Sequence, residues 1–508
     1  MKKLRIPKSL RSPLRKHGKW YSVGKTGLAE STGIVFLFCI ATAIASHAQT
    51  FTTLVNFDFT DGADPYRNSM IQGADGNLWG LTEIGGAPGA DGTVFKMSLA
   101  GALTTVANLN STDGGSPQGG LVLGTDGSYY GTNTEGGTSG ACSEGCGTIF
   151  KVAPNGVLTL LHSFCDLPNC PDGAIPYGGL MEATDGNFYG ATGYGGGSSA
   201  CYFGCGTIFK ITPQGILTTL HSFDGADGSL PYAQRPLVQG ADGNFFGTAS
   251  QGGANADGTF FKITPAGELT ILYNFCALAS CADGGYPAGA IQGADGRFYG
   301  VTGSGGGFSG NGGTIFRISA DGKLTTLHRF TIESGLYPDA GLIQATDGNF
   351  YGTTRNGGAG GSRCDTGGCG TVYQVTPEGE LTTLHSFDST DGTEPSGLLV
   401  QATNGSFYGM VQLGGANFDG TLFSLDMGLA PFAMTVPTSG KIGQKAMILG
   451  SNLIGTTSVT FNGTPAAFAV VSRGEISTRV PSGATTGKVV VTTPSGTLSS
   501  NLAFRVTP

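Results

Sequence analysis

Apolar and polar positions alternate with a period of two in short runs along most of the chain, and the runs return in the same order every ~55 residues. One unit begins with the apolar run Gly179-Leu180-Met181-Glu182-Ala183-Thr184 and turns at Asp185-Gly186-Asn187. It continues through an aromatic-glycine pair, Tyr189-Gly190, and a glycine-rich loop. It then reads Gly206-Thr207-Ile208-Phe209, turns at Pro213-Gln214-Gly215 and ends with Leu217-Thr218-Thr219-Leu220-His221-Ser222-Phe223. The pattern predicts four short strands, A to D. Asp-Gly supplies the positive backbone angles of a tight hairpin, so A and B are expected to be antiparallel neighbours.

The Asp-Gly or Asn-Gly turn, the aromatic-glycine pair and the strand C start each occur seven times between residues 51 and 427. A four-stranded unit of this size cannot bury both faces alone, and radial stacking against like units can. The expected fold is therefore all-β, a seven-bladed β-propeller, with an open solenoid of the same units as the alternative. The seventh A-B-C set, near 397–427, has no D strand after it. Phe51-Thr52-Thr53-Leu54-Val55-Asn56-Phe57 stands unpaired at the front and is predicted to fill that place, closing the ring and removing an exposed edge. In this arrangement the A–B and C–D turns are short and lie on one side. The B–C and D–A loops are long and varied and lie on the other, where a rigid scaffold presents function.

The recurring Asp-Gly-Asn-Phe-Tyr-Gly and Gly-Thr-Ile-Phe-Lys-Ile segments resemble the Gloeo-Verruco, or GloVer, tandem repeats of exported bacterial proteins over most of 51–427, and more distantly kelch-type blades. The resemblance implies an exported or surface-associated protein and transfers no catalytic residue. Repeat character stops near Asp426. From Pro437-Thr438-Ser439-Gly440 through Val459-Thr460-Phe461-Asn462-Gly463 to Thr493-Pro494-Ser495-Gly496 the chain is similar to an IPT/TIG immunoglobulin-like domain, which implies a small β-sandwich and a spacer or adhesion role. The expected domains are a signal peptide at 1–48, the propeller at 49–427 and the sandwich at 428–508.

Composition changes this picture at the front end. Nine basic residues precede a 13-residue apolar segment, Gly33 to Ala45, and Ser46-His47-Ala48. That is the layout of a secretory signal peptide, although its long basic region also suits a retained anchor. The segment is short for a membrane span, and none is expected in the mature chain. Without these residues the chain's 27 basic and 35 acidic side chains fall to 18 and 34, a net charge of about −16. With no basic patch, nucleic acid is not an expected partner. Ten cysteines form five close pairs: Cys142 with Cys146, Cys165 with Cys170, Cys201 with Cys205, Cys276 with Cys281 and Cys364 with Cys369. Even, local pairs in an exported chain are expected to be disulfides; zinc knuckles use other spacings. The expected location is secreted, periplasmic or at the cell surface.

Candidate chemistry is sparse. His162, His221, His328 and His385 hold one repeated position and are expected to be structural. The D–A loop acids Asp58, Asp61, Asp64, Asp224, Asp227, Asp388, Asp391 and Glu394 are candidate calcium ligands, with Asx turns as the plainer reading, and calcium is the one cofactor considered. Tyrosines 66, 177, 232, 286 and 337 recur beside proline, as blade packing would require. The nonrepeated loop aromatics Tyr194, Tyr202, Phe203, Phe308 and Phe418 are candidate contacts for a glycan or protein partner. The expected function is noncatalytic binding or adhesion. A polysaccharide-active enzyme, for which no acid/base pair stands out, and an architectural envelope protein are the alternatives.

Overall fold

The computed structural model describes residues 49–231, 237–307, 312–359, 364 and 367–507. The expected export segment lies outside them, as do Phe308 and Tyr232. Strands dominate, and among the described residues the only helical element is one 3-10 turn, Ala279–Cys281. No described helix is long and apolar enough to cross a membrane.

Seven four-stranded antiparallel sheets follow the repeat. The third contains Met181–Glu182 (A), Phe188–Thr192 (B), Thr207–Ile211 (C) and Leu217–Ser222 (D). The seventh joins Val400–Gln401, Phe407–Val411 and Thr421–Asp426 to Thr50–Asn56 from the front of the chain, as predicted. Each gap between neighbouring sheets holds its own hydrophobic cluster, seven in all. The seam between the last and first blades is filled like the others, with Phe57, Leu78 and Phe95 against Tyr408 and Leu422. The ring is therefore closed.

The repeat motif has a packing explanation. The turn aspartate accepts a hydrogen bond from the tyrosine hydroxyl four residues on, at 2.8 Å for Asp126 and Tyr130 and 2.9 Å for Asp185 and Tyr189. The glycine after that tyrosine makes room for an aromatic ring across the sheet. A Cβ on Gly190 would lie 2.6 Å from Phe209 Cζ, and one on Gly131 would lie 2.5 Å from Phe150 Cζ.

Strand A is shorter than its six-residue apolar run suggests, only two residues in five of the blades. These segments crowd the axis. A Cβ on Gly119 would meet Gly179 N at 2.5 Å, and one on Gly397 would meet Asn68 O at 2.0 Å, so neighbouring backbones touch before a longer ladder can form.

The last A residue carries a second repeated device. Gln401 Nε2 donates to Gly405 O of its own A–B turn, while its Oε1 accepts from Thr346 N of the preceding blade's turn, 3.0 Å away. Gln72, Gln239 and Gln344 make the same double link, and Glu182 takes the place in blade three by accepting from Thr125 N and Oγ1.

Past Asp426 the chain builds a sandwich of two four-stranded sheets, one running from Met434–Val436 to Phe468–Val470 and the other centred on Ser458–Phe461 and Val489–Thr493. Phe461 and Phe504 meet edge to face in its core. The sandwich covers the short-turn side of the ring. Met447 and Leu449 join the cluster of Trp79, Leu123 and Tyr129, and Lys445 Nζ donates to Thr125 O. Between the two domains lies an axial cavity of about 400 Å³, lined by all seven innermost strands and by the sandwich.

Candidate functional site

The opposite side of the ring, with the varied loops, is organised by an X-Pro step at the end of every D–A loop. The residue before proline has a positive φ each time: Asp64 49°, Ser116 51°, Ile175 54°, Leu230 52°, Tyr286 56°, Tyr337 57° and Glu394 59°. Non-glycine residues seldom adopt this conformation, least of all a β-branched one. Two hydrogen bonds impose it. Asp64 N donates to Asp419 O just before strand C of the preceding blade, and Asp64 O accepts from Glu83 N at the exit of its own strand B. Tyr337 is held in the same way by Gly312 O and Arg355 N, and Glu394 by Cys369 O and Gln412 N. The backbone thus sets where each side chain projects and leaves its identity free.

Two rings of side chains result, the X residues and the strand B exits Glu83, Thr134, Gly193, Ser250, Gly303, Arg355 and Gln412. Their composition is one-sided. Blades two to five supply hydroxyl, apolar, tyrosyl and glycyl positions, whereas every charge falls in blades six, seven and one. There Arg355 grips Glu394 at 2.6 Å through Nη2, and Gln118 Nε2 donates to Glu83 Oε1 at 2.8 Å. Tyr66 lies 5.1 Å from the Arg67 guanidinium and 5.8 Å from that of Arg355. Asp64 Oδ1 and Gln412 Oε1 are buried without a hydrogen-bond partner.

This sector carries more carboxylates than cations. Burial pushes Asp64 up to about 6, with a contribution from nearby Glu394 and against its bond to Gln412. Glu83 is pushed up to about 7, by burial first and by Asp64 second. Burial also raises Asp339, against the pull of Arg67 and Arg355. The sector can therefore accept hydrogen bonds, pair with a charge, and exchange protons near neutrality.

Comparison with known proteins identifies the repeat and the sandwich. The model of the Gloeobacter/Verrucomicrobia repeat matches residues 8–235 and 232–467, most of the chain. The chain belongs to that repeat family. The IPT/TIG domain model matches 433–506. Among curated proteins none matches the sequence. In solved structures, a fungal alcohol oxidase of the AA5 family, in complex with copper, is 13% identical, covers 90% of this chain and 99% of its own, and superposes with a TM-score of 0.52. A gluconolactonase from Xanthomonas campestris is 12% identical, with coverage of 72% and 88% and a TM-score of 0.36. At such identity the likeness to the oxidase speaks for a shared fold alone.

Within the Gloeobacter/Verrucomicrobia repeats, the other sequence candidates take separate places. Tyr202 and Phe203 project from the Cys201–Cys205 loop, 87% and 69% exposed, with rings 4.6 Å apart. Phe418 is 74% exposed on a blade-seven loop, while Tyr194 is half-buried against Tyr177. Tyr194, Tyr202 and Phe203 share the blade-three B–C loop, where Gly195 N donates to Phe203 O, whereas Phe418 stands apart on blade seven.

All five cysteine pairs form disulfides, each within one varied loop. Cys142 joins Cys146, Cys201 joins Cys205 and Cys364 joins Cys369 in B–C loops, whereas Cys165 joins Cys170 and Cys276 joins Cys281 in D–A loops. Two of these bridges share one hydrophobic cluster. Cys146 and Cys165 are buried in it beside Ile149 and Phe164, and Cys142 and Cys170 pack against its edge. These sulfurs therefore brace the seam between blades two and three from within and present nothing to a ligand on the rim.

Most of the candidate calcium ligands are engaged in their own loops. Asp58 Oδ1 accepts from Thr60 N and Asp61 N, Asp224 from Ala226 N and Asp227 N, and Asp388 Oδ1 from Thr390 N. Asp61, Asp227 and Asp391 return bonds to the N–H groups of Asp58, Asp224 and Asp388. Asp64 and Glu394 belong to the rim instead. Among the described residues the only grouping of metal-type ligands is Asp257 with Cys276 and Cys281, and those cysteines are joined to each other.

Three histidines pair with D–A loop acids: His221 with Asp227 and His385 with Asp391, both calcium candidates, and His162 with Asp172, at 2.6–2.9 Å. His328 differs. Its loop has Ser334 where the others have aspartate, and its Nε2 is buried without a partner. Of the charged sector the sequence offered only Asp64 and Glu394, as candidate calcium ligands, because its members are scattered from residue 64 to residue 412. The usable signal was positional: aligned on X-Pro and on the strand B exit, the seven copies share a backbone frame and differ in side chain at both columns.

Proposed function

We propose that this is an exported, noncatalytic recognition protein that binds a carbohydrate ligand at the charged sector of the varied rim. The observation that carries the reading is the asymmetry. Seven near-identical backbones hold two rings of side chains, and only blades six, seven and one fill them with three acids, an arginine and an amide, beside Tyr66. A purely architectural ring has no need of such a break. Carboxylates, amides and aromatic faces suit sugar hydroxyls and ring faces. The disulfides, which persist in oxidising compartments, and the immunoglobulin-like domain fit a protein working outside the cytoplasm, in the periplasm, at the cell surface or secreted.

A glycan array probed with the purified protein, beside a peptide array, tests this. Saturable glycan binding that Arg355→Ala abolishes and Lys210→Ala, away from the rim, retains is the expected result. A silent glycan array, or binding indifferent to Arg355→Ala, would overturn the assignment. A peptide hit dependent on Arg355 would move the ligand to protein.

One observation favours a second reading, a polysaccharide-active enzyme. Asp64 and Glu83 adjoin through a backbone hydrogen bond and are pushed up to about 6 and about 7, so that near neutrality one can be ionised while the other keeps its proton, as an acid/base pair requires. Release of reducing ends from a bound glycan, lost in Glu83→Gln, would establish turnover. Binding without product leaves recognition as the function.

A further inference from the structure

The axial cavity lies on the other side of the ring from the rim, and nothing about the rim accounts for it. About 400 Å³ of partly open space lies between the innermost strands and the sandwich, within the range that holds a small ligand. Its wall is mainly apolar: Met70, Leu121, Leu180, Ile291 and Leu399 from the blades meet Met434 and Leu502 from the sandwich. Apart from Gln292, the Gln side chains around it are engaged in linking turn to turn, so they offer little to a guest. Glu182, an acid in this wall, spends both oxygens on Thr125.

One group in the wall does have capacity left. Arg505, in the last strand of the sandwich, donates Nη1 to Gln292 Oε1 at 2.8 Å and Nη2 to Gln239 O. Both acceptors are neutral. Two of the five guanidinium N–H groups are thereby used, and among the described residues no carboxylate pairs with it. Asp242, on a nearby turn, acts on it only at longer range. A cation mostly withdrawn from water and held by neutral partners is costly unless an anion completes it. The guanidinium fork matches a carboxylate in geometry.

We propose that this cavity is a binding site for an amphipathic anion, a medium-chain carboxylate of the fatty-acid type, with its head group on Arg505 and its chain among the apolar ends of the A strands. The volume suits about a dozen methylene-sized groups, taking each as near the ~30 Å³ share of a liquid water molecule. The sandwich would then be the cover of a lipid site as well as a spacer. Blade five contributes the head-group partner Gln292 because its glutamine, unlike those of blades one, four, six and seven, links to the sandwich and not to a neighbouring turn.

Isothermal titration of the purified full chain with dodecanoate, dodecanol and dodecylamine, each below its aggregation threshold, tests this. One dodecanoate per chain is expected, with dodecanol weaker by about tenfold or more, as loss of a charged hydrogen-bonded pair implies. Arg505→Gln should erase the preference for the carboxylate while dodecanol still binds. Ile291→Phe, which fills the cavity and leaves Arg505 in place, should weaken both and guards against an Arg505 variant that fails to fold. Absence of binding by any chain compound, equal binding of acid and alcohol, or a carboxylate preference that survives Arg505→Gln would each overturn the assignment.

Discussion

Phe51 lies flat on His385, ring centroids 3.6 Å apart and planes within 6°. The two residues are separated by most of the ring in sequence, and their contact joins the outer strands of blades seven and six. Phe51 also stacks on Phe423 of its own blade, at 5.1 Å. The strand that opens the ring thus also closes it, by β-pairing with strand C of blade seven and by aromatic packing against the neighbour.

Replacing Phe51 with alanine should therefore cost about 2–3 kcal/mol, below the ~3–5 of a fully buried phenylalanine because the ring is only partly buried. Denaturant unfolding followed by fluorescence checks it. Loss below ~0.5 kcal/mol, the level of an ordinary surface change, would show that the closing strand contributes little.

The unpartnered His328 makes a gain-of-stability prediction. In blade six Thr331 N donates to Ser334 Oγ at 3.0 Å, just as Asp224 N donates to Asp227 Oδ1 at 2.9 Å in blade four. Ser334→Asp should keep that bond and place a carboxylate on the histidine, as in His221–Asp227. Burial holds the His328 pKa below its ordinary value, and the new acid should raise it. A stabilisation of about 0.5–1.5 kcal/mol is expected, largest below the raised folded pKa and fading as pH rises through it. NMR titration of the His328 ring and thermal melts measure the two effects.

Glu83 should make stability fall with pH. Its folded pKa of about 7 lies above the ordinary glutamate value of about 4.3, so the native state binds a proton that the unfolded state has released. The native state is disfavoured progressively as pH rises from about 4.3 to 7, and above that the full penalty is present. Glu83→Gln keeps an acceptor for Gln118 and removes the penalty. It should be near neutral at pH 4 and stabilising by about 1–2 kcal/mol at pH 8, after allowance for solvent screening of a half-buried group. Melting curves at the two pH values suffice; equal effects at both would refute the assignment.

Much of the ring was legible in the residues because each repeated letter answers a local demand. Asp185 turns the hairpin and catches Tyr189, Gly190 clears Phe209, and the paired cysteines lie within single loops, so each contact is set inside one repeat. The closing strand was legible by counting. The rim was not, because Asp64, Glu83, Arg355 and Glu394 acquire meaning only when the ring closes and brings blades six, seven and one side by side. Arg505 gave no signal either, since its partners Gln292 and Gln239 read as ordinary members of an apolar strand. Short-range rules recover blades; a site assembled across blades depends on closure.

The glutamine links between turns supply the last prediction. Gln401 is buried and makes three hydrogen bonds, to Gly405 O, to Thr346 Oγ1 and from Thr346 N. Gln401→Leu strands these groups and should cost about 2–3 kcal/mol, since each buried polar group left unpaired costs about 1–3. Gln401→Glu is subtler, because blade three already carries glutamate there. Burial pushes Glu182 up to about 7 even though Thr125 donates to both of its oxygens. A glutamate at 401 should behave alike, protonated and nearly neutral in effect at pH 5, where its hydroxyl can donate to Gly405 O. Above the folded pKa it loses that donor and buries a charge, so the destabilisation should grow as pH rises through ~7. Thermal melts of Gln401→Glu at pH 5 and pH 8 decide the matter: a pH-independent loss would mean that the link holds the blades by shape, without the donor at Nε2.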